Sequence, residues 1–166
     1  MSDPLVWLIL LPLFWATGAF LFPTRGAWLA IGGTAVQLWL ALALATKVGA
    51  GGTATHAVGG WGAPLGIDLA ADGLAALLLV LAQFVALPLF LYARDYFAGK
   101  APAFWPLAGF LLAGINVLFL SADLFNLYVA LELVGLAAVG LVALGGGAGP
   151  LAAALRYLFA TLVGSG

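Results

Sequence analysis

Runs of apolar residues about twenty long, separated by brief polar breaks, leave this chain few folds to choose from. From Leu74 to Tyr92 and from Leu107 to Leu120 no residue is charged, and both runs are apolar on every side. The strands of a membrane barrel alternate polar and apolar residues over about ten positions, so a barrel does not fit. A helix rising about 1.5 Å per residue crosses a hydrocarbon layer of about 30 Å in roughly twenty residues. With 66% hydrophobic residues, 7% charged residues and a mean hydropathy of +1.23, the sequence excludes a soluble domain. It predicts an all-α polytopic membrane protein.

Six helices are expected, at about residues 4–22, 27–45, 72–92, 104–120, 124–144 and 151–166. The first follows Asp3 and lacks a basic leader, so it reads as a membrane span and not a secretory signal. The Gly-, Thr- and Ala-rich segment from Thr46 to Ala71, with Trp61 within it, reads as an extended or hairpin-like external lid between the second and third helices. GGGAGP, from Gly145 to Pro150, breaks the chain, and Pro150 is expected to open the sixth helix. From Leu151 to Val163 that helix covers only about 20 Å, too little to cross. The reading is five complete transmembrane helices plus a truncated sixth. Arg25, Arg94 and Lys100 fall on one side against Lys47 on the other, which puts the amino terminus and the lid outside a cell inner (cytoplasmic) membrane.

Several chemistries fall away on composition. The chain has no cysteine and one histidine, His56, so it offers no disulfide, thiolate metal site or two-histidine haem site. No metal and no cofactor is expected. A net charge of -1 provides no basic surface for nucleic acid. Gly145 to Gly147 form a turn and not a phosphate loop, because no GK[ST] follows.

Glu132 is the single glutamate, and it lies near the middle of the apolar stretch from Leu124 to Leu144. That stretch measures about 31 Å as a helix, so the carboxylate belongs near mid-membrane. An ionisable side chain there costs about 3 kcal/mol on insertion scales, and such residues mark ion or proton paths by default. Glu132 is therefore the candidate proton-relay residue, against a structural reading in which it only bonds a neighbouring helix. Gly135 and Tyr128, three and four residues away, lie on the same helical face. Gly135 leaves room for water, and Tyr128 offers a hydroxyl. Arg156 is the one basic residue within a predicted span, a possible charge relay that is equally placed to snorkel to the headgroups. Asp123 and Asp72 stand at helix starts and are expected to cap them.

Two stretches, VGGWGAPLGIDLAADGLAALLL from Val58 to Leu79 and DLFNLYVALELVGLAAVGLVAL from Asp123 to Leu144, followed by AALRYLFATLVGS, resemble a known family. They are similar to the proton-conducting antiporter-type subunits of Mrp-type multisubunit monovalent cation/proton antiporters, membrane-bound hydrogenases and respiratory complex I, and most of all to the Mrp-type D subunit. The resemblance implies that residues 1–166 form the amino-terminal part of one antiporter-like domain and that Glu132 is the family's helix-five glutamate. It implies that Arg156 takes the place of a helix-six lysine or arginine. It also implies partners: other membrane subunits of a hetero-oligomeric complex, protons, monovalent cations and the lipid bilayer. Two other readings stay open, a proton-pumping subunit of an NADH-quinone oxidoreductase or membrane-bound hydrogenase, and a structural membrane scaffold.

Overall fold

The computed structural model describes residues 4–60 and 67–164. Trp61 and the neighbouring part of the lid lie outside the described residues. In chain order the elements are α1 (Pro4–Leu21), α2 (Gly26–Gly49), β1 (Ala54–Ala57), β2 (Asp68–Ala71), α3 (Gly73–Phe97), α4 (Phe104–Leu120), α5 (Leu124–Ala143) and α6 (Ala148–Gly164), with a 3₁₀ turn at Pro23–Arg25. The chain is an all-α membrane protein with one small hairpin. Four helices, α1, α2 with its preceding turn, α3 and α5, are long and apolar enough to cross a membrane. α4, apolar except for Asn116, is shorter, at 17 residues.

Three boundaries depart from the sequence reading. Thr46 to Gly49 belong to α2 and not to the lid; the Thr46 hydroxyl donates back to the Ala43 carbonyl at 2.9 Å within the helix. α3 continues past Tyr92 to Phe97, so Arg94 and Asp95 are helical; the Arg94 Nε donates to Asp95 at 2.8 Å and its guanidinium lies 5.1 Å from the Trp28 ring centre. Ala98, at φ 44, then ends it. α6 begins at Ala148, with Pro150 third in the helix. The first four helical N–H groups have no internal partner, so the missing proline N–H costs no bond there either.

α1 packs along α2 and α4, α2 along α3, α4 along α5, and α5 along α6. Without water between helices in a bilayer, such contacts rest on close van der Waals approach, which small residues allow. At Gly109 of α4 an added Cβ would lie 2.5 Å from the Ala16 Cβ and 2.9 Å from the Trp15 ring. The α1–α4 seam therefore has no room for a larger residue.

Buried side chains form two apolar clusters. One holds Leu5, Leu8, Ala41, Leu44, Leu79 and Leu120 together with Leu69 and Ala71 of the hairpin. The other, toward the opposite end of the bundle, holds Trp15, Ala30, Phe90, Trp105 and Leu112. Between them, α1 carries Pro12. A proline has no N–H to give the carbonyl four residues back, so the Leu8 carbonyl loses its helical donor. Asn116 of α4 supplies one, its Nδ2 donating to that carbonyl at 2.7 Å, and its Oδ1 accepts from Gln83 Nε2 at 2.9 Å. Two turns along α1, the Trp15 Nε1 donates to Gln37 Oε1 at 3.2 Å.

β1 and β2 pair antiparallel, from Ala54 opposite Ala71 to Ala57 opposite Asp68. The free edge of β2 is used as well: Leu69 bridges to Ser121, and Ala122 N donates to the Asp68 carbonyl at 3.0 Å. The hairpin is thereby clasped to the short link between α4 and α5.

Candidate functional site

α5 is positioned from three directions. Its start is capped by Asp123, whose Oδ1 accepts from Asn126 N at 2.7 Å, just as Asp72 accepts from Ala75 N at 2.8 Å at the start of α3. Its flank is seated on α4, where Gly114 faces Val134 and Gly140 faces Leu107; a Cβ at either glycine would come within 2.9 Å of that neighbour. Its end is turned back by Gly146 and Gly147, whose φ of 70 and 83 suits glycine, so α6 returns against α5.

The α5–α6 pair encloses an open groove of about 380 Å³ lined by Glu132, Gly135 and Leu136 of α5 and by Tyr157, Leu158 and Thr161 of α6. Glu132 is half-buried in it. Among the described residues, nothing beyond the helix's own backbone lies within 4 Å of where a Gly135 Cβ would stand, so they leave the space beside the carboxylate open. Among the described residues, Glu132 forms no side-chain hydrogen bond or ion pair. Tyr128, one turn before it, is 46% exposed and does not line the groove. Arg156 is exposed and does not line it either.

The structure thus brings Glu132 and Gly135 together and leaves Tyr128 and Arg156 outside. In their place it offers Tyr157 and Thr161, which the sequence reading passed over. They are four residues apart and share one face of α6. The Thr161 hydroxyl is turned onto its own helix, with the Tyr157 and Leu158 carbonyls at 3.1 and 2.9 Å, which leaves its lone pairs free to accept. A carboxylate, a phenol and a hydroxyl around one open space can exchange a proton and order water. Among the described residues no cluster of three or more His, Cys, Asp or Glu side chains has the form of a metal site.

At the opposite end of the bundle from the hairpin, the turn before α2 and the α3–α4 loop enclose a second groove lined by Pro23, Trp28, Arg94, Gly99 and Trp105. Arg25, Arg94 and Lys100 all belong to this end, and Trp28, Tyr92 and Tyr96 are exposed around it. Lys47 stands at the hairpin end.

No family model matches the chain. Among curated proteins it is similar to the N subunit of the NADH-quinone oxidoreductase of Desulforudis audaxviator, 40% identical over 161 residues that cover 91% of this chain and 32% of that one. It is similar to the D subunit of the Na⁺/H⁺ antiporter of Bacillus subtilis, 40% identical over 116 residues, 69% of this chain and 24% of that one. It is also similar to the D subunit of the probable K⁺/H⁺ antiporter of Rhizobium meliloti, 35% identical over 169 residues, 95% and 31% of the respective chains. Among solved structures, a chain of the Mrp complex from Dietzia sp. matches with a TM-score of 0.80 at 25% identity, over 99% of this chain and 33% of that one. A chain of the membrane-bound sulfane sulfur reductase, an archaeal respiratory membrane complex, shares the fold with a TM-score of 0.88 at 24% identity, over 97% and 34%. The chain spans about a third or less of the length of the curated relatives it matches.

Proposed function

Because this chain is a homologue, over about a third of their length, of the antiporter-type membrane subunits of Mrp complexes and complex I-like respiratory assemblies, we propose that it serves a monovalent cation/proton antiporter and carries part of its proton path through Glu132. The groove beside Gly135 is the observation that supports this most: a mid-helix carboxylate lies against open space with two hydroxyl side chains across from it. The path is then protonation and release at Glu132, with Tyr157 and Thr161 ordering water and no bound cofactor. Other membrane subunits complete the complex, and protons and monovalent cations are its cargo.

The proposal includes a topology. α1 to α5 cross the cell membrane, the amino terminus and hairpin lie outside, and Arg25, Arg94 and Lys100 face the cytoplasm. The exposed aromatics around Arg94 fit a headgroup-level belt on that side.

Glu132→Gln in the full-length complex tests the relay. It keeps size and polarity but cannot exchange a proton, so proton-coupled transport should fall by an order of magnitude or more while assembly persists. Transport at the wild-type rate across pH 6 to 9 would leave Glu132 as a helix contact only. A second reading, a proton-pumping subunit of a quinone-reducing complex, is favoured by the NADH-quinone oxidoreductase relative, which matches 91% of this chain against 69% for the Bacillus subtilis antiporter relative at the same identity. Electron-transfer subunits co-purifying with the full-length protein would decide for it.

A further inference from the structure

A polar layer crosses the bundle between its two apolar clusters, away from the Glu132 groove. On α2, Thr34 and Gln37 lie between Ala30 of one cluster and Ala41 of the other. On α3, Gln83 lies between Leu79 and Ala86, and on α4, Asn116 lies between Leu112 and Leu120. Each is flanked by the same two clusters, so the four side chains belong to the zone between them. All four are 0% exposed.

Their orientations are fixed from outside the layer. The Leu8 carbonyl can only accept, so Asn116 must turn Nδ2 to it and Oδ1 away. Asn116 Oδ1 can only accept in its turn, so Gln83 must present Nε2, and Gln83 Oε1 is left over. The Trp15 N–H can only donate, so Gln37 must present Oε1, and Gln37 Nε2 is left over. No amide flip removes either remainder without breaking a bond already made. Gln83 Oε1, Gln37 Nε2 and the Thr34 hydroxyl are the layer's atoms with no partner among the described residues.

From this geometry we propose that the layer is a binding site for ordered internal water, which donates to Gln83 Oε1 and accepts from Gln37 Nε2, with the Thr34 hydroxyl as a further partner. Water is the ligand whose chemistry fits. It needs two to four polar partners and can both donate and accept, which matches a leftover acceptor, a leftover donor and a hydroxyl. A bare cation would be repelled by the Gln37 N–H and would find two side-chain oxygens where six or more are usual. An anion would meet no positive charge in the layer. The bound water ties α2 to α3, and the Gln83–Asn116 bond carries that link on to α4, at a site that α4 separates from the α5–α6 groove.

The test uses the full-length protein in lipid nanodiscs. A cryo-EM map that resolves water should show a peak about 2.6–3.2 Å from both Gln83 Oε1 and Gln37 Nε2. A map in which the two amides bond each other directly, with no water peak, overturns the proposal. X-ray hydroxyl-radical footprinting provides an independent reading, because bound water generates radicals inside the protein. Trp15, 5% exposed and bonded to Gln37, should be labelled in the wild type, and its labelling should fall at least threefold in Gln83→Met. Unchanged labelling in a folded Gln83→Met protein would count against the site. Should that variant not fold, the wild-type map alone decides.

Discussion

At the scale of single residues, the bond from Asn116 to the Leu8 carbonyl makes a quantitative forecast. Removing one partner of a buried hydrogen bond costs about 1–3 kcal/mol, so Asn116→Leu should destabilise the protein by that order. Pro12→Ala restores an N–H to α1 and with it the carbonyl's own helical donor. In the double variant, part of the Asn116→Leu loss should return. Steric-trapping measurements of unfolding on the four proteins would give the coupling, and strict additivity would mean that the proline and the asparagine do not act on one carbonyl. Glu132 was legible in the sequence because it stands alone as a charge in its helix. The amides were not, for a physical reason: Gln37, Gln83 and Asn116 each look like a tolerated polar residue in a separate apolar run, and only packing brings them into one zone. Tyr157 and Thr161 were hidden in the same way, since nothing in α6 alone says which face meets α5.

Whole helices were read more readily than their ends. Long apolar runs located α1 to α5, whereas α2 and α3 each extend about a turn further, through Lys47 and through Arg94 and Asp95. Charge does not stop a helix at the membrane surface, where water and headgroups solvate it. The seams between elements yield a paired expectation about glycine. Gly109→Val should weaken the α1–α4 contact by about 1–3 kcal/mol, because Ala16 and Trp15 already fill the space its side chain needs. Gly135→Ala should leave stability unchanged or raise it by up to about 1 kcal/mol, because that space is open and alanine is the better helix former. Unfolding of the two variants side by side measures the contrast; equal losses would mean that the Gly135 face is as closely packed as the α1–α4 seam.

For the molecule as a whole, the proposed orientation predicts which surfaces a membrane-impermeant thiol reagent reaches. The chain has no cysteine of its own, so single replacements report without background. Thr53→Cys, beside the hairpin, should label in intact cells, and Gly99→Cys, in the α3–α4 loop, should label only after permeabilisation. The reverse pattern would invert the topology.

Pro12 also sets a condition on how this protein is made. The asparagine that meets the Leu8 carbonyl lies 108 residues further along the chain. At about 5–20 residues synthesised per second, it emerges about 5–20 s after α1 has left the ribosome. Through that interval α1 carries a bare carbonyl that hydrocarbon cannot satisfy. Until α4 arrives, that carbonyl relies on trapped water or a local adjustment of the helix, and α1 reaches its full stability in the bundle only once Asn116 is in place.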